Sequence, residues 1–284
     1  MKTNALILLG KTISYVSKLT NRGNGSTWPG HIALTLEKEF IQEIVKKSHL
    51  QIILVCGTNG KTTTSTTLAA MFTKSGKKVL QNTSGANLLN GIASSLLLSA
   101  DKKGYIDKDV AIFEVDENAL PLVLQTLIPH AIVVLNLFRD QLDRYGELDA
   151  IAKKWNDAFA TLPSATKLIL NADDPLIATL GKNVQADVCY FGLDEKSERK
   201  LPHAADSIYC SNCQHKLTYG AVYYSHLGNW YCTHCKNKRP RIEKIAPFFP
   251  FSGTYNKYNI LAATLTARQL GVQKTSIDDA LHEV

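Results

Sequence analysis

From Gln51 onward, short β-branched apolar runs alternate with stretches whose apolar residues recur at helical spacing. That alternation is the pattern of a parallel sheet covered by helices, so the fold class is α/β. The runs predict strands over Gln51 to Cys56, Lys78 to Gln81, Val110 to Val115, Ala131 to Leu135, Lys167 to Leu170 and Val188 to Phe191. The helical stretches between them are Thr62 to Ser75, Asn87 to Ala100, Ala119 to Leu127, Leu148 to Ala160 and Pro175 to Leu180. Ahead of this core, Ile32, Leu36, Phe40, Ile41, Ile44 and Val45 share one helical face, which predicts a single amphipathic packing helix over residues 31 to 48. Residues 21 to 30 are rich in turn formers and read as a loop, in which Trp28 serves either to pack on a ligand or to anchor the loop. Between Ala204 and Arg241 the composition shifts to tyrosine, cysteine, histidine and basic residues, the mark of an inserted module. After it, Asn256 to Leu270 and Ser276 to His282 are again helical.

The expected organisation is a helical lead-in over 1–49, an α/β domain with a mostly parallel sheet over 50–284, and a module at 204–241 inserted within it. No repeat or low-complexity segment interrupts this order. With 284 residues, 45% of them hydrophobic and 20% charged, wholesale disorder is excluded. The net charge of +7 permits an anionic partner without demanding one. Most of the excess is local, since residues 196 to 244 hold nine basic and three acidic residues. The five apolar residues before Gly10 fall short of the roughly 7–15 of a secretory core, and no run approaches the roughly 18–20 of a membrane span. The expected compartment is therefore the cytoplasm.

Gly57-Thr58-Asn59-Gly60-Lys61-Thr62-Thr63 follows an apolar strand and opens a helix. At such a turn, glycines let backbone N–H groups approach phosphate oxygens while the helix N-terminus favours their charge; Lys61 suits the terminal phosphates and Thr62 suits Mg²⁺. The spacing is shorter than that of the common phosphate loop, G-x-x-G-K-T rather than G-x-x-x-x-G-K-T. A triphosphate brings Mg²⁺, which needs oxygen ligands, and Glu114 ends an apolar run where a buried strand should end. Glu114, Asp116 and Glu117 also suit capping of the next helix, with Asp116 the expected cap. Thr83, Ser84, Asn136 and Asp140 follow other strands and read equally as turn residues or as ligands in the same crevice.

Cys210-x-x-Cys213 and Cys232-x-x-Cys235 stand 18 residues apart, within the spacing of a four-cysteine zinc ribbon. A closed tetrathiolate has no open position to activate water, so the zinc is expected to be structural. His215, His226 and His234 are alternative ligands, though four thiolates already complete a tetrahedron. Cys56 and Cys189 lie in apolar strands and read as packing residues. Lysines and arginines interleaved with tyrosines also fit a nucleic-acid surface, but four thiolates on Zn²⁺ reduce the local +6 to about +4. No nucleic-acid partner is expected.

Gly57-Thr-Asn-Gly-Lys-Thr-Thr63, Glu114, the run Asn136 to Tyr145, Asn171-Ala-Asp-Asp-Pro175 and Gly253-Thr-Tyr-Asn256-Lys-Tyr-Asn259 occur in an order that resembles the Mur ligases. Those enzymes use ATP to turn a carboxylate into an acyl phosphate that an amine attacks. The resemblance implies that Lys61 binds phosphates, that Thr62 and Glu114 hold magnesium, and that Asn256 and Asn259 contact adenine. It also points to Lys154 as the nearest match to a carbamoylated lysine. Gln141 and Tyr255 stand where the family often has histidine, which leaves a second magnesium open. A Mur-ligase core carrying a cysteine ribbon resembles the branch that amidates the D-glutamate α-carboxylate of the lipid II stem peptide. In that branch ammonia comes from a GatD-like glutamine amidotransferase partner, and no glutaminase signature is present in this chain. The expected cofactors are ATP, Mg²⁺ and Zn²⁺, and the lipid-linked substrate implies work at the inner membrane surface. The alternatives are an amino-acid-adding ligase and a zinc-ribbon ATPase acting on nucleic acid. The family's third, closing domain is expected to begin where this sequence ends.

Overall fold

The computed structural model describes residues 2–19, 27–82, 85–139, 147–195 and 206–283. Thr83, Ser84, Asp140 and Gln141, singled out above, lie outside them. Six strands form one sheet in the order β2-β3-β1-β4-β5-β6: β1 (Gln51–Cys56), β2 (Val79–Gln81), β3 (Val110–Val115), β4 (Ala131–Val134), β5 (Lys167–Asn171) and β6 (Asp187–Phe191). Every neighbouring pair is parallel. Because β3 and β4 flank β1 on opposite sides, the chain changes direction across the sheet at β1. The crevice beyond the carboxyl end of β1 is where such sheets bind ligands.

Alternation along the strands divides the core in two. Ile52, Leu54 and Cys56 face one hydrophobic cluster, whereas Ile53 and Val55 face the other. The first cluster is covered by α1 (Lys2–Leu19), α2 (Trp28–Leu36), α3 (Phe40–Ser48), α5 (Leu89–Ser99), α6 (Leu120–Thr126), α7 (Glu147–Phe159) and α8 (Pro175–Thr179). The second is covered by α4 (Lys61–Lys74), α9 (Thr254–Gln269) and α10 (Lys274–Glu283). Between β6 and α9 the chain forms an antiparallel hairpin, β7 (Thr218–Tyr224) and β8 (Leu227–Tyr231).

The amphipathic segment 31–48 is two helices rather than one. The helix breaks after Leu36, where Glu37 is extended, and α3 restarts at Phe40. The break lets each half bury its own face: α3 sends Phe40, Ile41 and Ile44 into the core, and α2 packs against α5. Trp28, Pro29 and Gly30 belong to α2 and not to a loop. Gly30 permits the close crossing, since a Cβ there would stand 2.0 Å from Asn90 O, and its N–H donates to Ser94 Oγ at 2.8 Å. Trp28 is 63% exposed and meets the edge of His31, while residues 21–26 of the expected loop lie outside the described residues.

Candidate functional site

The turn from β1 into α4 is built on two glycines with positive φ, Gly57 at 137° and Gly60 at 91°, which a side chain would strain. Gly60 also has no room for a Cβ, which would stand 2.1 Å from Asn259 Oδ1. Asn259, on the second turn of α9, is buried, and its Nδ2 finds no hydrogen-bond partner among the described residues. Asn256 turns back along its own helix start, donating from Nδ2 to Ser252 O at 2.8 Å.

The turn is tied to the segment after β4. Asn136 is buried there; its Oδ1 accepts from Asn59 N–H and its Nδ2 donates to Asn59 O, both at 3.0 Å. Thr58 N–H donates to Asn136 O at 3.1 Å, and Thr58 Oγ1 accepts from Phe138 N–H at 3.0 Å. Asn136 therefore works as a brace of the turn. Lys61 arches back over it, donating to Gly57 O at 2.6 Å, with Glu117 Oε1 at 3.7 Å. Thr63 follows on the first turn of α4, half-buried.

Sheet register sets Glu114 opposite Val55, two residues before Gly57. Its two oxygens accept from two hydroxyls of α4, Thr62 Oγ1 at 2.9 Å and Ser65 Oγ at 3.0 Å. Asn82, just past β2, holds the Glu114 backbone from both sides: Nδ2 donates to Glu114 O and Oδ1 accepts from Glu114 N–H, each at 2.9 Å. Asp116 does not cap α6. Its Oδ1 accepts from Asn118 N–H within a turn, and α6 begins later without a side-chain cap. Three carboxylates, Glu114, Asp116 and Glu117, thus share this end of the sheet with the Lys61 ammonium. Such an excess of hard oxygen donors suits Mg²⁺. Ser65, Asn82 and Glu117 were not singled out as site residues. Helical spacing from Thr62 points to Ser65, but nothing in the sequence points to Asn82.

Lys154 is exposed on α7. Its neighbour Trp155 is buried and donates from Nε1 to Glu117 O at 2.8 Å, which lays α7 beside the acidic loop. Tyr255 opens α9, its ring centroid 6.0 Å from that of Tyr224 at the end of β7.

The four cysteines come together. Cys210 Sγ lies 3.5 Å from Cys235 Sγ and Cys213 Sγ 3.5 Å from Cys232 Sγ, with all four within 4.8 Å of one another. Four Zn–S bonds of about 2.3 Å would set sulfurs about 3.8 Å apart, so this donor set fits a tetrathiolate ion. The Cys235 backbone amide lowers the Cys232 thiol to about 7. Against the His215 backbone amide, burial and the neighbouring sulfurs push Cys213 up, so only part of the set leans towards the thiolate a metal requires. His215 and His234 stack beside Cys213 with centroids 3.7 Å apart, exposed, as an alternative donor group. His226 is elsewhere, buried next to Asp174. Cys56 and Cys189 are buried strand residues; burial pushes Cys56 well above the ordinary thiol value and Cys189 up to about 11, as suits packing thiols.

The hairpin is fastened to the loop after β5. Trp230 Nε1 donates to Ala172 O at 3.0 Å and Gly228 N–H to Asp173 O at 2.9 Å. Asp173 is fully buried, and burial raises its carboxyl to about 6 against the pull of Arg239 at 2.5 Å, the Leu193 N–H and the Tyr258 hydroxyl. No described helix is long and apolar enough to cross a membrane.

Among known proteins, the chain is 34% identical, over 98% of its length, to the MurT subunit of the glutamine-hydrolysing lipid II isoglutaminyl synthase of Streptococcus pneumoniae. It is 30% identical over 94% to the MurT subunit of Staphylococcus aureus. It spans 65% and 64% of the length of these two relatives. The UDP-N-acetylmuramoylalanine–D-glutamate ligase of Pelotomaculum thermopropionicum is 29% identical over 81% of the chain and is matched over 43% of its own length. A pseudomurein peptide ligase type C from Methanothermus fervidus superposes with a TM-score of 0.66 at 25% identity, covering 86% of this chain and 51% of that one. A profile of the Mur ligase middle domain matches residues 55–267, three quarters of the sequence, and on that match the chain belongs to the Mur ligase family.

Proposed function

We propose that this chain carries the nucleotide-binding part of an ATP-dependent ligase that amidates the D-glutamate α-carboxylate of the lipid II stem peptide to D-isoglutamine. The observation that carries the ligase reading is the junction of Thr62, Ser65 and Glu114 beneath Lys61 at the end of β1. The substrate reading draws on likeness to the two MurT subunits, whose name also motivates a glutamine amidotransferase partner, GatD-like, as ammonia source. On this reading the protein works in the cytoplasm, at the membrane surface where its lipid-linked substrate lies.

In the reaction, a carboxylate oxygen attacks the γ-phosphorus of ATP and the bond to the β-phosphate oxygen breaks, giving an acyl phosphate and ADP. Ammonia nitrogen then attacks the acyl carbon, loses a proton, and inorganic phosphate leaves. The N–H groups of Gly60 to Thr63 receive the phosphates, those of Thr58 and Asn59 being taken up by Asn136, and the Lys61 ammonium offsets the charge that grows during transfer. Thr62 and Glu114 would hold Mg²⁺, which supplies charge neutralisation on the phosphate oxygens. Asn259, with its buried donor free beside Gly60, and Asn256 at the same helix start receive the nucleotide. Lys154 serves beside the acidic loop as the carbamoylated residue. Cys210, Cys213, Cys232 and Cys235 hold a structural Zn²⁺ in a ribbon inserted at 204–241 of the domain spanning 50–284, with residues 1–49 as lead-in.

The test is turnover by the full-length protein and its partner with ATP, lipid II and glutamine, read by product mass. Amidated product from the parent, and about 100-fold less or lower still from Lys61→Ala, is the expected outcome. An added amino acid in place of ammonia would establish the amino-acid-adding alternative, which the likeness to a D-glutamate ligase favours as second reading. No acceptor-dependent phosphate release would sink both.

A further inference from the structure

A short segment, residues 136–138, stands between the ribbon hairpin and the phosphate turn. On one side that segment grips the turn, through Asn136 to Asn59 and Phe138 N–H to Thr58 Oγ1. On its other side stands His226, completely buried at the bend between β7 and β8. His226 Nε2 is 3.3 Å from Asp174 Oδ2, and the same oxygen accepts from Leu137 N–H at 3.1 Å. The His226 ring also lies against Phe138, centroids 4.8 Å apart. Two neighbouring residues of the segment are thus held by one histidine, Leu137 through a shared carboxylate and Phe138 through its ring. Histidine Nδ1 has no partner among the described residues, so Nε2 and the ring face supply the hold.

We propose that the ribbon braces the phosphate turn, with His226 as the positioning residue that transmits the brace. Segment 136–138 has neither helix nor strand of its own, and the turn carries two glycines whose freedom is large when unbound. A loop that orders only when ligand arrives subtracts that ordering from affinity. Four thiolates closed on a metal fix the hairpin, the hairpin fixes His226, and His226 fixes the strip against which Thr58 and Asn59 are laid. Metal and nucleotide then bind with positive coupling, and linkage makes the coupling reciprocal. Asp174 is itself held in place, because its Oδ1 accepts from Leu176 N–H as the cap of α8. A ribbon that served only as a folding element would lack this line of contact and would leave nucleotide affinity alone.

The proposal rests on the phosphate turn being the nucleotide site. Its test uses the full-length protein with Mg²⁺ and a non-hydrolysable ATP analogue, measuring dissociation constant, zinc content, and KM for ATP against kcat. His226→Ala should keep its zinc, weaken the analogue about tenfold, the equivalent of one charge-assisted hydrogen bond, and raise KM for ATP with little change in kcat. His226→Gln, whose side-chain amide can still donate to Asp174, should recover most of that loss. Should His226→Ala fail to fold, chelation of zinc from the parent makes the same test: affinity should fall while the far-ultraviolet signature of the sheet and helices persists. Unchanged affinity in zinc-loaded His226→Ala, or in the zinc-free parent, overturns the brace. A parent that binds no analogue overturns the nucleotide site itself, so the two failures are distinguishable.

Discussion

The turn from β1 into α4 and the cysteine ribbon both bring donor atoms together, yet they are assembled in opposite ways. All four thiols come from one short stretch, Cys210 to Cys235, and meet over a small cluster in which Leu217 and Trp230 pack with Ala178 of α8 and Tyr190 of β6. The phosphate turn is contiguous from Gly57 to Thr63, but it is completed by Asn82, Glu114, Glu117, Asn136 and Asn259 from separate parts of the chain. One site therefore draws all its donors from a single stretch, and on the proposed reading a bound metal adds to the few contacts that hold it against the domain. The other borrows rigidity from a sheet buried on both faces. The lesson is that removal of what each is proposed to bind should have unequal consequences: the ribbon should loosen, whereas the sheet end should keep its shape and lose only function.

The largest effect should come from the metal. Structural zinc in small modules contributes about 10 kcal/mol or more, so chelation or Cys213→Ser should abolish hydrogen-exchange protection in β7 and β8. Protection in β1 and β3 should persist, and equal loss in both regions would erase the contrast. Next is Lys61→Ala, which should lower kcat by about 100-fold or more, the scale of removing one preorganised charge donor, with the melting temperature nearly unchanged. A tenfold to hundredfold rise, roughly, in the Mg²⁺ needed for half-maximal activity is expected of Glu114→Gln, an amide that keeps the shape and drops the charge. Asn82→Ala removes two hydrogen bonds to the Glu114 backbone and should cost about 1–2 kcal/mol in chemical denaturation, with the ribbon untouched. Smallest of all, Trp28→Ser should change stability by about 0.5 kcal/mol or less, since that ring is largely exposed.

The same contrast explains what could be read from the chain alone. Strand positions were legible to within a residue or two, because β1 and β3 are apolar runs bounded by turn formers; both match the expected limits, Gln51–Cys56 and Val110–Val115. The cysteine spacing was legible for the same local reason. Glu114 was legible as the polar end of such a run, and alternation along β3 puts it on the face shared by Ile112, towards α4. The break between α2 and α3 was not legible, because Leu36 fits the helical face of the segment yet is left 59% exposed once each half turns to its own packing site. Asn82, Asn136 and His226 work through hydrogen bonds to residues 32 to 77 positions away, and short-range patterns hold no trace of such partners. Asp116 was misjudged as a cap because the helix begins later than its periodicity suggests.

The central claim is that the bend between β1 and α4 holds a nucleotide's phosphates beside a divalent ion on Glu114. A crystal of the full-length protein grown with a non-hydrolysable ATP analogue and Mn²⁺ in place of Mg²⁺ tests it most directly. The account predicts an anomalous peak in contact with Thr62 and Glu114 and phosphate density cradled by Gly57 to Thr63. Analogue and metal found at any other place, with that bend empty, would contradict it.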